Sequence, residues 1–191
     1  MITIFTAIGH LNFKKSTSPS SRYAIVAKSN QEHGLSKHEL VLWSLLYGTF
    51  LTYEELQKNY YQMLTDYHIS SELDMDYYLK RLTFRGLIAS SCSYAKTSAI
   101  YDLIKKLIIR PHKKNNSSPF KPSSFSAYWK SLANRLMQRS SLSSDEHLFL
   151  KLIKKNPVQT MQLVPSVQSG THILTVIINL YTKQLLYFDC V

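Results

Sequence analysis

Twice in this chain a serine stands three residues ahead of a glutamate at the head of an apolar run, in Ser36-Lys37-His38-Glu39 and again in Ser143-Ser144-Asp145-Glu146. A serine hydroxyl and a glutamate carboxylate at that spacing each satisfy a backbone N–H at a helix start. Behind both boxes the same order recurs: an apolar helix, a turn, a second helix, a third helix and a short apolar strand. The first copy ends in Arg85-Gly86-Leu87-Ile88-Ala89, the second in Lys183-Gln184-Leu185-Leu186-Tyr187-Phe188. An internal repeat calls for two similar units rather than one large sheet, and 191 residues suffice for two small cores.

The first copy is the more regular. Leu40, Val41, Leu42, Trp43, Leu45 and Leu46 surround its first helix, which places that helix at the centre of a core, and Gly48 stops it. Thr52 and Glu55 form a further capping box and open a helix that runs to about residue 64. A third helix spans residues 75–85, with Met75, Tyr78, Leu79 and Leu82 on its inner face and Tyr77, Lys80, Arg81 and Phe84 on the other. Residues 87–89 read as a wing strand, 90–93 as its turn and 94–95 as the returning strand.

Outside the repeats, residues 2–8 and 22–27 alternate, and the Ser-rich stretch 14–21 between them reads as the turn of an N-terminal β-hairpin. Residues 98–109 carry an apolar stripe, Ile100, Leu103, Ile104, Leu107 and Ile108, in a helix ended by Pro111. Such a stripe either packs on its own domain or joins two copies in a homodimer. Residues 111–126 have the composition of a basic linker. Residues 127–139 form another helix burying Tyr128, Trp129, Leu132 and Leu136. In the second copy residues 158–164 read as a short helix. Residues 171–181 fit a helix by period and a strand by their β-branched content. The expected fold class is therefore α+β and mostly helical. Residues 1–110 make a hairpin-plus-helix domain, 111–126 a linker and 127–191 a second module.

Charge is distributed unevenly. Between Tyr77 and Ser144 there are thirteen Lys or Arg against the single acid Asp102, so this stretch holds the whole excess of a chain with net charge +11. Concentrated positive charge attracts a polyanion and releases its counterions. Motifs for chemistry are absent: no Gly-rich phosphate loop, no G-x-S-x-G, no H-E-x-x-H and no paired C-x-x-C occur. The seven histidines stand far apart, and Cys92 and Cys190 have neither zinc nor disulfide spacing. The sequence reading is a non-enzyme without cofactor or metal. The absence of a membrane-length apolar run or secretory signal points to the cytoplasm.

From Ser36 to Tyr94 the chain resembles a winged-helix DNA-binding domain, through Leu79-x-x-Leu82-x-x-x-Gly86-Leu87-Ile88. The whole chain is similar to uncharacterised winged-helix-like proteins of low-GC Gram-positive bacteria, through Arg85 to Ala89 and Ala99-Ile100-Tyr101-Asp102-Leu103. The resemblance implies two winged-helix-like modules and a transcriptional regulator that binds double-stranded DNA. It implies base or phosphate contacts from Tyr77, Lys80, Arg81 and Phe84, with Arg85 and Lys96 on the backbone beside the wing. Glu72, Asp74 and Asp76 make the start of that helix acidic, which opposes DNA there. The second module, with four bases against three acids in residues 145–191, reads as a scaffold. A hairpin followed by three helices also resembles the leader-peptide recognition domains of ribosomal-peptide maturation. There a peptide adds as a strand, which would place the contact along Ile25 and Ala27.

Overall fold

Strand β1, Ile2–Ala7, forms where the alternation places it, but with other partners. In the computed structural model, which describes residues 1–15, 22–70, 73–112, 142–155, 158–159 and 167–190, β1 is the central strand of a three-stranded sheet. It pairs antiparallel with β6, Ile88–Ser93, Ala7 opposite Ile88, and on its other side with β5, Leu51–Thr52, Ile4 opposite Thr52. The N-terminal hairpin exists between different strands. It joins β2, His10–Lys15, to β3, Arg22–Lys28, and β4, Gln31–Gly34, pairs with the far side of β3. Alternation reports a half-buried strand and carries no information about its neighbour. The chain leaves β1 for β2 at Gly9, whose φ is +94°. A Cβ there would lie 2.5 Å from Val26 Cγ1 and 2.7 Å from the Ala27 carbonyl oxygen.

Helix α1, Lys37–Leu46, carries the capping box read from its sequence, and so does α2, Tyr53–Asp66. Helix α3, Met75–Phe84, buries Met75, Tyr78, Leu79 and Leu82 as its periodicity requires. These helices close one core with Phe5 and Ala7 of β1. The opposite face of β1, Ile4 and Ile8, enters a second core. A strand buried on both faces and bonded on both edges is the centre of the protein.

Three expectations are corrected downstream of α3. Residues 88–93 form one continuous strand with no turn at 90–93 and no returning strand at 94–95. The wing is absent because β1 already holds the place where a returning strand would pair. The amphipathic stretch is split into α4, Lys96–Lys105, and β7, Ile108–Pro111, since Ile108-Ile109 is β-branched and pairs readily. The stripe of α4 packs on its own core, the first of its two readings: Ala99, Leu103 and Ile104 are buried against β1 and β6. Among the described residues the strands make three sheets of three strands, so the fold is α+β.

The second half repeats the first in register. It comprises β7, α5 (Ser144–Lys155), β8 (Val158–Gln159), α6 (Val167–Thr182) and β9 (Leu186–Asp189). Its sheet order is β8-β7-β9, with β7 central as β1 is. Ile108 faces Gln159 as Ile4 faces Thr52, and Pro111 faces Leu186 as Ala7 faces Ile88. The helix ends match as well: Leu87 N–H bonds the Leu82 carbonyl at 2.9 Å, and Leu185 N–H bonds the Leu180 carbonyl at 2.9 Å. Gly86 and Gln184 both have positive φ at that stop. The open question between helix and strand at 171–181 resolves as helix. The expected helix at 158–164 begins instead as β8. The linker and the helix at 127–139 lie outside the described residues, apart from Pro111 in β7 and His112 just after it.

The halves are joined at Tyr181 of α6. Its fully buried hydroxyl lies 2.7 Å from Thr6 Oγ1 and donates toward the carbonyls of Leu46 at 3.2 Å and Ala7 at 3.3 Å. Burial pushes this phenol up to about 12. Tyr181→Phe leaves those buried acceptors short of a donor and lowers unfolding free energy by about 1–3 kcal/mol, read from urea midpoints. Gly9→Ala forces a positive-φ alanine against backbone and costs at least about 2 kcal/mol in the same assay.

Candidate nucleic-acid interface

Helix α3 owes its two faces to its sequence. The four buried side chains fix its orientation, so positions 77, 80, 81 and 84 must face water. Tyr77 is 43% exposed and Phe84 93% exposed, and Lys80 and Arg81 are exposed between them. The Arg81 guanidinium lies 5.7 Å from the centroid of the Tyr77 ring and donates to its hydroxyl at 3.5 Å, holding the two side chains side by side. Among the described residues Lys80 forms no ion pair. A phenyl ring almost wholly in water next to two cations contributes little to the fold, and its exposure is the anomaly of this surface.

The basic residues do not all remain available. Glu39, buried at 1% exposure, is the counter-charge for two of them. Its Oε1 lies 3.3 Å from Arg81 Nε and 3.2 Å from Arg85 Nη1, while its other oxygen accepts from the Ser36 N–H at 2.8 Å. Arg85 Nη2 also donates to the Gly34 carbonyl at 2.7 Å, clamping β4 to the end of α3. Lys96 is bound to both oxygens of Glu55, at 2.7 and 2.8 Å, and holds that carboxyl below its usual range. Of the six positions the sequence singles out, Tyr77, Lys80, Arg81 and Phe84 therefore share one outward face. Arg85 and Lys96 are engaged in structural pairs, and no wing stands beside them. The partner Glu39 is missed by sequence reading, since its capping role was legible and its burial was not.

The acidic start of α3 is tied to α2 through Asp76. Asp76 accepts from the Tyr53 hydroxyl of α2 at 2.6 Å, which pushes that phenol up to about 12. At the other end Lys28 of β3 reaches the Arg85 carbonyl at 3.5 Å, a cation at the negative end of the helix dipole. Positive charge is thus gathered toward the C-terminal half of α3, with Lys28, Lys80, Arg81 and Arg85 there. The corresponding outward positions of α6, by the shared register, are Thr175, Ile178, Asn179 and Thr182, and none carries charge. Strand addition is closed where the sequence put it. Ile25 and Ala27 belong to β3, which is bonded on both edges, so no further strand can pair there.

A second polar cluster lies between the halves. The rings of His10 and His112 meet edge-on at 4.6 Å, Tyr187 lies 5.4 Å from His112, and His112 Nε2 is hydrogen-bonded to the Tyr47 hydroxyl. Burial, with His10 adding to it, lowers the His112 pKa from 6.5 to about 4, and burial lowers that of His10 too. Two imidazoles and two phenols make a poor metal site, and among the described residues no group of three or more His, Cys, Asp or Glu could hold a metal ion. No helix among the described residues is long and apolar enough to cross a membrane.

Comparison with protein-family models, with curated proteins and with solved structures finds no match.

The buried imidazole makes stability pH-dependent in a defined window. With the folded pKa below the unfolded one, the unfolded chain takes up the proton first. Stability is unaffected by His112 above pH 6.5 and falls as the pH drops from 6.5 toward 4. Urea midpoints from pH 7 to 4 follow this slope, and His112→Gln flattens it. The Glu146 carboxyl, held low by Lys183, adds its own loss only below about pH 4.5.

Proposed function

We propose that this protein binds nucleic acid through the outward face of α3, as a winged-helix-type double-stranded DNA binder acting as a transcriptional regulator. The observation that carries the reading is Phe84, 93% exposed at the end of a helix whose outer face is otherwise Tyr77, Lys80 and Arg81. Nothing in the packing of the domain requires an aromatic side chain there, whereas base edges and sugar rings offer it apolar contact and the adjacent cations suit phosphate.

The order of elements supports the winged-helix part of the proposal. Helix α1, strand β5, helices α2 and α3 and strand β6 follow in the sequence of that fold, with β5 and β6 flanking a central strand. The departure is the source of the central strand, which comes from the N-terminal side as β1. A domain built this way has no wing to lay along a groove, so α3 and the Lys28 corner carry the contact. Lys80 and Phe84 are the residues assigned to DNA. Arg81 serves both DNA and Glu39, and Arg85 and Lys96 hold the domain together.

The test is fluorescence anisotropy of a labelled duplex of random sequence at several salt concentrations. Wild-type affinity falls steeply with salt. Lys80→Ala reduces the slope of log affinity against log salt by about 1, and Lys80→Ala/Phe84→Ala weakens binding at least about tenfold. Neither substitution moves the urea midpoint, because both side chains are exposed. No binding at low salt overturns the proposal and redirects the search to a peptide adding at the β2–β4 sheet.

A further inference from the structure

Strand β4 brings a histidine to the basic end of α3. The register of its sheet sets Val26 opposite His33 and Lys28 opposite Gln31, so Val26, Lys28, Gln31 and His33 share one face. Val26 is fully buried, which turns that face toward the first core. Lys28 lies against Gly86, where a Cβ would collide with its Nζ, and donates to the Arg85 carbonyl at 3.5 Å. Arg85 Nη2 donates to the carbonyl of Gly34, the residue after His33, at 2.7 Å. His33 therefore stands beside two cations from two other elements. Burial, then Arg85 and Lys28, lower its pKa from 6.5.

The carboxylates around this corner are engaged elsewhere. Glu39 of α1 is buried and shared by Arg81 and Arg85. Glu32, beside His33 in β4, lies on the opposite face and pairs with Lys14. Asp189 of β9 takes Arg110 and the Ser29 hydroxyl. Among the described residues the half-buried His33 ring makes no hydrogen bond or ion pair. An imidazole that faces cations and has no acid of its own gains its proton when an anion supplies the missing charge. We propose that Lys28 and His33, backed by Arg85, bind a phosphate group, and that His33 takes up a proton from water as the phosphate arrives. The ammonium and imidazolium donate to the phosphate oxygens, while the Arg85 guanidinium stays on Glu39 and Gly34 and contributes charge. This rests on the nucleic-acid reading for the source of the phosphate, a backbone diester; a free phosphate has the same chemistry.

The test is a pH series of the duplex anisotropy titration at one salt concentration. Wild-type affinity is expected to rise about threefold or more from pH 7.5 to 5.5, because the protonated imidazole is the binding form. His33→Gln, compared at the same pH values, loses that rise. An equal rise in wild type and His33→Gln overturns the proposal and leaves the nucleic-acid reading standing. In parallel, the His33 pKa is read from its ring Cε1–H NMR signal, with inorganic phosphate replacing chloride at equal ionic strength. Phosphate raises that pKa, and Lys28→Gln raises it in chloride and removes the response to phosphate. A His33-dependent duplex response without a response to inorganic phosphate supports the diester as the source. If the duplex fails to bind at any pH while phosphate still raises the His33 pKa, the nucleic-acid reading falls and the site stands as one for a free phosphate. If neither probe responds, both are overturned.

Discussion

The Tyr181 hydroxyl is the point on which both halves of the molecule depend. It meets the Thr6 hydroxyl and the carbonyls of Ala7 and Leu46, binding α6 of the second half to β1 and to the end of α1. Thr6 passes the interaction on, donating to the Thr49 carbonyl at 2.8 Å. Thr6, Ala7, Leu46 and Tyr181 are buried, so each polar group there is costly to leave unpaired and the network tolerates little movement. The ring itself packs on Phe188 and Phe50. Gly48, just after α1, has a φ of +76°, where any side chain is strained, and a Cβ there would lie 3.2 Å from the Tyr181 carbonyl oxygen.

Because β1 is held from both sides, the rest of the architecture follows. Its edges are filled by β5 and β6, so it takes the central place that a strand returning from a wing would hold, and its faces divide the protein into two cores. Helix α3 is then fixed by its buried face against the first core, and its outward strip is a consequence of that burial. Electrostatics prunes the basic surface further. The buried carboxylates Glu39 and Glu146, both at the third position of a capping box, collect Arg81 and Arg85 in one half and Lys183 in the other. Breaking such a buried pair exposes an uncompensated charge, so these cations act as structural elements first. Arg81, Arg85, Lys96 and Arg110 of the basic stretch thus meet carboxylates, while Lys80 forms no ion pair among the described residues.

Much of this was legible beforehand where the signal is local. Ser36 with Glu39, Thr52 with Glu55 and Ser143 with Glu146 announced three helix starts, and all three boxes form. The period of Met75, Tyr78, Leu79 and Leu82 oriented α3 and with it the outward strip. Pairing was not legible. Residues 2–7 and 22–28 both alternate, yet they belong to different sheets. Ile108-Ile109 carried on the apolar stripe of α4 while taking part in a strand. Arg85 and Lys96 looked like free cations because their partners are 46 and 41 residues away.

The sequence by itself determined the repeat, the helix starts, the buried face of α3 and the concentration of positive charge, since capping and periodicity act within one or two turns of chain. Tertiary structure alone decided which strand fills the centre of each sheet and which cations are neutralised. Those outcomes depend on contacts between residues far apart in the chain, where a strand accepts any partner of the right register and a buried carboxylate takes whichever cation the packing brings near.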